Sequence, residues 1–182
     1  KQFHPEGDVF NHTKLMFDYS ENPTPELAMG ILLHDIGKVD TFEITDRIRF
    51  NNHWIASEKT AKNILSRLKF SNDSIKIILE LVLHHMRFRN VKEMKEAKLK
   101  RFMLMDDFHL HLELHRLDCL ASHGLLDNYY FVKEKFNSLG SADKKILKKP
   151  VVTGDDLIAL GLVPSPLFKE IIEFIKDSEF EG

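Results

Sequence analysis

Apolar residues recur at helical spacing along most of the chain, and the breaks in that pattern fall on turn-forming residues. Val9, His12, Leu15, Met16 and Tyr19 share one face of a helix predicted from the N-cap Asp8 to Tyr19. Asn22-Pro-Thr-Pro25 interrupts the pattern, and Thr24 with Pro25 at the first helical position opens a second helix carrying a nearly unbroken apolar stretch up to His34 and Asp35. Thr41-Phe-Glu-Ile44 and Arg47-Ile-Arg-Phe50 alternate with period two around Asp46, which predicts a short hairpin and is the one β signal. Helical spacing returns after Asn51-Asn52-His53. Ala61, Ile64, Leu65 and Leu68 mark one helix; Ile75, Ile78, Leu79 and Val82 mark the next, capped at Ser71-Asn72 and closed by His84 and His85. A long helix is expected from Leu104 to His123 and another from about Asp127 to Leu139, ended by Gly140. Thr153-Gly-Asp-Asp156 then caps a short helix ended by Gly161, and Pro164-Ser-Pro166 opens a last one with Phe168, Ile171, Ile172 and Ile175 as its apolar face. The pattern predicts an all-α bundle of seven or more helices with one small hairpin, organised as a domain over residues 1–149 and a two-helix tail over 150–182.

Composition narrows the class. A chain of 182 residues, 43% hydrophobic and 30% charged, buries a sizeable core and reads as an ordinary soluble protein. Its 26 basic and 28 acidic residues leave a net charge of −2, so no global field draws it to a polyanion and any RNA contact needs local patches. The single cysteine, Cys119, excludes an internal disulfide and a thiolate zinc site and suits the cytoplasm. No apolar run approaches the ~20 residues of a membrane span, and no signal peptide opens the chain. It starts at Lys1 rather than Met, as a processed chain or a part of a longer one would.

The chemistry sits where polar residues interrupt apolar runs. His34 and Asp35 lie inside Leu27-Ala-Met-Gly-Ile-Leu-Leu-His-Asp-Ile-Gly-Lys38, and an ionised carboxylate taken out of water costs several kcal/mol unless compensated. A bound cation is the economical compensation. Gly37 is expected to let the backbone turn after the pair, and Lys38 to place a positive charge beside it. His12 points towards the core, and His53 falls at a loop-to-helix junction. His84 and His85 diverge by about 100° on a helix, so both can serve one cluster only through a distorted helix end or two metals. His111, His115 and Asp118 share a stripe, with Asp118 flanked by Leu117, Cys119 and Leu120 and His115 a candidate partner for a ligand carboxylate.

This order, a His, then His-Asp, then a distant Asp, resembles the HD-domain metal-dependent phosphohydrolases. His4-Pro-Glu-Gly-Asp-Val-Phe-Asn-His12-Thr, Leu33-His-Asp-Ile-Gly-Lys38, His84-His-Met86, Leu114-His-Arg-Leu-Asp-Cys-Leu-Ala-Ser-His-Gly124 and Val152-Thr-Gly-Asp-Asp-Leu157 are similar to the HD-containing half of bacterial CCA-adding tRNA nucleotidyltransferases and poly(A)-polymerase-like proteins. The resemblance implies an HD-domain helical bundle and a site for one or two divalent metal ions. His12, His34, Asp35 and Asp118 would form one locus. With a second ion Asp35 would bridge, and His53 with His85 or His84 would complete the shell, His85 being favoured because the family carries His immediately before Met. Lys38 would stabilise charge on phosphoryl oxygens, making Asp35 and Lys38 the catalytic candidates. Imidazoles and carboxylates without thiolates suit Mn2+, Fe2+, Ni2+, Co2+, Zn2+ or Mg2+.

The expected function is hydrolysis of a nucleotide or RNA-end phosphoester, as a phosphomonoesterase or phosphodiesterase. Two alternatives are a non-catalytic body that holds tRNA or other RNA, and a regulatory module that binds a nucleotide without turnover. Nucleotide addition is not expected, because no Gly-Ser followed by paired aspartates is present. Weak, salt-dependent RNA binding is expected through the basic run from Arg87 to Arg101 and through Lys144, Lys145, Lys148 and Lys149, opposed by acidic residues from Asp155 to Glu181. No membrane contact is expected, and the oligomeric state stays open.

Overall fold

The structure is a computed structural model in which residues 8–46, 48–140 and 152–181 are described, those after 175 as backbone only. Nine α-helices and one two-stranded sheet make up the regular structure of these residues, together with two 3-10 segments. The helices are α1 (Val9–Asp18), α2 (Pro25–Leu33), α3 (His53–Arg67), α4 (Asn72–His84), α5 (Glu96–Met103), α6 (Phe108–Ser122), α7 (Asp127–Ser138), α8 (Gly154–Ala159) and α9 (Leu167–Glu181). The 3-10 segments are Ile36–Lys38 and His85–Glu93. Strands β1 (Phe42–Ile44) and β2 (Ile48–Phe50) pair antiparallel with Phe42 opposite Phe50. The helical class and the lone hairpin therefore stand as read from the pattern.

Local chemistry sets the helix starts. The side chains of Asp8, Thr24 and Ser71 accept from the backbone N–H groups of Asn11, Leu27 and Ser74, and Thr153 forms a reciprocal capping box with Asp156. Three details differ from the sequence reading. The helix expected from Leu104 begins only at Phe108, because Leu104 to Asp107 form a turn in which Asp107 takes a φ of 54°. Leu68 is the C-cap of α3 and 54% exposed, so the buried stripe ends at Leu65. Ile44 and Ile48 at the hairpin tip are exposed, so the alternation there buries no face. Arg47, Lys144 to Lys149 and the motif before Asp8 lie outside the described residues, as does the expected boundary between residues 149 and 150.

The chain divides into two compact units. The first comprises the described residues up to Arg89 with His109–Tyr130. Met16, Leu27, Ile31, Leu81, Leu114 and Leu117 join α1, α2, α4 and α6 in one core cluster. Leu33, Ala61, Leu65, Ile78 and Val82 join α2, α3 and α4 in another. Gly30 allows α2 to lie close on α4: a Cβ there would sit 3.1 Å from Leu81 Cδ1. The second unit comprises Asn90–Phe108 and the described residues from Phe131 onward, where α5 packs on α9 and Phe108 sits edge-on to Phe102.

Candidate metal centre

Five helices of the first unit deliver polar side chains to one interior point, mostly from their ends. His12 projects from the buried face of α1, alongside Met16. His34 caps the C-terminus of α2, and Asp35 follows at the entry to the first 3-10 segment. His53 is the first residue of α3, His85 follows the last residue of α4, and Asp118 lies on α6. His12, His34, Asp35, His53 and His85 are all buried, although none has an apolar side chain.

Two groups of three result, each with its potential ligand atoms within 4.8 Å of one another: His12, His34 and Asp118, and Asp35, His53 and His85. His12 Nε2 stands 3.1 Å from Asp118 Oδ1. Asp35 turns Oδ1 to His53 Nε2 at 3.2 Å and His85 Nε2 at 3.8 Å, and Oδ2 to Lys38 Nζ at 2.6 Å and His34 Nε2 at 3.3 Å. The covalent neighbours His34 and Asp35 thus tie one group to the other.

The imidazole tautomers follow from their backbone partners. Nδ1 of His34 donates to the Ile31 carbonyl at 2.9 Å, Nδ1 of His53 to Phe50 at 2.9 Å and Nδ1 of His85 to Val82 at 2.7 Å. A carbonyl only accepts, so in each neutral ring the hydrogen resides on Nδ1 and the Nε2 lone pair faces the cluster. Nε2 of His53 and Nε2 of His85 face each other across 3.1 Å, which is repulsive unless a proton or a cation lies between them. Nε2 of His34 is buried without a hydrogen-bond partner, its approach to Asp35 falling outside hydrogen-bonding geometry. Inward lone pairs, two carboxylates and backbone-anchored outer nitrogens are the donor set a divalent cation requires, so the residues fit such an ion.

The charges agree. Burial opposes ionisation of Asp35, but His34, His53 and Lys38 outweigh it and hold the carboxyl well below its usual range. Asp118 is likewise held low against burial, chiefly by His12 and His34. Burial alone would depress His34, yet the adjacent Asp35 and then Asp118 raise it, whereas burial and the neighbouring His34 push His85 down to about 4.

The remaining candidates separate. His84 lies in neither group: its ring stands 6.2 Å from that of His111, and burial takes the two to about 4 and about 3. His115 stacks on Phe88 with ring centroids 4.3 Å apart and approaches Cys119 Sγ, so it does not hold the ligand carboxylate it was expected to bond. Gly37 does not turn through a left-handed conformation. Its N–H donates to Ser57 Oγ at 2.8 Å, and a Cβ would meet Ser57 N at 2.3 Å and His53 O at 2.5 Å, so the glycine is required by close approach to α3. Ser57 was missed from the sequence, where a serine in a helix interior carries no distinguishing signal.

The family model of the HD domain matches residues 9–110. A multifunctional CCA protein of Methylobacillus flagellatus is 31% identical over 108 residues, covering 58% of this chain and 26% of that protein, so the chain spans about a quarter of that relative's length. No solved structure matches. No helix among the described residues is long and apolar enough to cross a membrane. Since the matched span covers more than half of the chain and holds every histidine and aspartate of the cluster except Asp118, the protein belongs to the HD-domain family, within the metal-dependent phosphohydrolase superfamily, and is related to the CCA-adding enzymes.

Proposed function

We propose that this chain hydrolyses a phosphoester of a nucleotide or of an RNA end, with His12, His34, Asp35 and Asp118 holding one divalent ion and His53 and His85 completing a second locus through Asp35. The observation that carries this reading is the pair of ligand groups joined at His34-Asp35, with three imidazole lone pairs turned inward. When bound, divalent ions supply an acidified water and charge neutralisation at phosphoryl oxygens. Asp35 offers one oxygen to each side. Lys38 balances its charge at 2.6 Å and would stabilise charge on the phosphoryl oxygens of a substrate. The test is elemental analysis of the purified protein with a hydrolysis screen over nucleoside monophosphates, cyclic phosphates and phosphodiesters, after chelation and reloading with Mn2+, Ni2+, Co2+ or Mg2+. Metal-dependent release of phosphate or of a nucleotide supports the reading; a folded, loaded protein inert across the screen overturns it.

A second reading, an RNA-holding body without turnover, draws on the relation to a CCA protein. A purely structural body has no need of a complete ligand set, which favours the hydrolase. Of the basic run, Arg87 and Arg89 belong to the first unit and Lys92, Lys95, Lys98, Lys100 and Arg101 to the second, where Lys100 already pairs with Glu96 at 3.5 Å. Titration of labelled tRNA at low and moderate salt separates the readings, since contacts to phosphate alone give a dissociation constant of about 10⁻⁴–10⁻⁶ M at physiological salt.

Two consequences are measurable by metal titration. His85→Ala is expected to lower bound metal by about one equivalent, and His84→Ala to leave it unchanged, because only His85 turns its Nε2 to Asp35. Metal affinity is also expected to fall with acidity: His34 has a raised pKa, so its proton must leave before Nε2 can bind an ion, and protonation strengthens as pH drops. Titrating Co2+ at about pH 8 and about pH 6 reads this through Trp54, whose ring lies 5.4 Å from His53. Affinity unchanged between the two would contradict the assignment of His34.

A further inference from the structure

A cleft of about 360 Å³ opens beside the cluster, and its lining includes His85 from one ligand group and Asp118 from the other. Both candidate metal loci therefore border the same space. Among ligand cavities of about 300–1,000 Å³ this is a small one, suited to a mononucleotide rather than to a folded RNA. All its lining residues belong to the first unit.

Away from the ligands the lining changes character. Arg89, the one arginine in the cleft, is exposed and makes no ion pair among the described residues. It lies four residues beyond His85 along the 3-10 segment and borders the same cleft. Asn128 fixes the backbone under it, its Nδ2 donating to the Phe88 carbonyl at 3.1 Å and the Arg89 carbonyl at 3.3 Å. His123, also lining the cleft, accepts the Leu125 N–H on Nδ1 at 3.0 Å, which in the neutral ring leaves Nε2–H as a donor. The carboxylate of Asp127 stands in the same lining and supplies an acceptor for hydroxyl groups.

The geometry points to a two-anion substrate: we propose that the cleft receives the leaving group of the phosphoester, and that Arg89, with His123, binds a second phosphoryl group carried by it, so that nucleoside bisphosphates are preferred over monophosphates. This rests on the hydrolase reading above and adds the substrate class. An arginine fork matches a phosphoryl group through two parallel N–H···O bonds, and hydrogen bonds to charged groups are the stronger kind. Asp127 faces the sugar hydroxyls that lie between two phosphoryl groups of one nucleoside.

The test compares adenosine 3′,5′-bisphosphate, adenosine 5′-monophosphate and p-nitrophenyl phosphate with the full chain and with Arg89→Ala and Arg89→Lys. In Mn2+-loaded protein, Arg89→Ala is expected to raise KM for the bisphosphate so that its kcat/KM falls at least about tenfold more than that for p-nitrophenyl phosphate, with Arg89→Lys intermediate. Equal losses on all three substrates would overturn the proposal. Binding is read independently of turnover by titrating the chelated chain with adenosine 3′,5′-bisphosphate and following the Arg89 side-chain N–H resonance, identified by its absence in Arg89→Ala. A saturable shift absent with adenosine supports the site; no shift overturns it. If the resonance shifts and no substrate is turned over, the hydrolase reading has failed and the anion site has not.

Discussion

Replacing Asp35 with alanine is expected to strip the protein of metal and of phosphoester hydrolysis together. Its two oxygens face His53 and His85 on one side and His34 and Lys38 on the other, a position no other described side chain takes. Loss of a residue that merely orients a ligand commonly costs 10–100-fold in metal affinity, so loss of the shared carboxylate should exceed about 100-fold. Asp35→Asn keeps the shape and removes the charge, and should fail similarly because Lys38 Nζ at 2.6 Å is then left beside a neutral amide. Stoichiometric metal in the purified Asp35→Ala protein would sink the ligand assignment.

Gly37→Ala should damage the fold and the site at once. The added methyl would lie 2.3 Å from Ser57 N, 2.5 Å from His53 O and 2.8 Å from Ala56 C, all backbone atoms of α3 that no rotamer change can clear. Overpacking of this kind costs about 1–3 kcal/mol and sometimes more, and here the displaced helix also breaks the hydrogen bond from Gly37 N–H to the buried Ser57 Oγ. At roughly 2–4 °C per kcal/mol for a chain of this size, the midpoint of thermal unfolding should fall by about 6–12 °C for a loss near 3 kcal/mol. Because His53 begins α3, metal content should fall as well, even in protein that remains folded. An unchanged midpoint with full metal content would show that α3 can move away from residue 37 at little cost.

Much of this was readable without coordinates, for physical reasons that differ from residue to residue. The helix starts at Asp8, Thr24, Ser71 and Thr153 were legible because a capping side chain bonds an N–H only three residues ahead. His34 and Asp35 were legible as an unpaid cost, an ionisable pair in an apolar run. Their partnership with His12 and Asp118 depends on packing between distant helices, and only the order of motifs hinted at it. Helical periodicity showed that His84 and His85 diverge; His85, still with helical backbone angles at the end of α4, is the one whose ring meets Asp35. The turn before Phe108 was missed because Leu104-Met-Asp-Asp has no glycine or proline, and the left-handed residue is Asp107. Gly37 was found for the wrong reason: a turn is visible in a sequence, whereas the approach of another helix to a missing Cβ is not.

The carbonyls that hold His34, His53 and His85 come from the residues three positions before each ring. Each of these three imidazoles is thereby fastened to its own local backbone, not to a neighbour that an arriving ion would have to displace. Torsional freedom that a mobile ligand would surrender on capture has already been given up when the chain folds, so little of the binding free energy is spent on ordering side chains. Such a cage discriminates among ions by size and preferred geometry, since it cannot easily reshape itself around a poor guest. Its selectivity is thus written into the spacing of helix ends, and a change that slides α2, α3 or α4 by a fraction of a turn would alter which ion is held while leaving every ligand in the sequence intact.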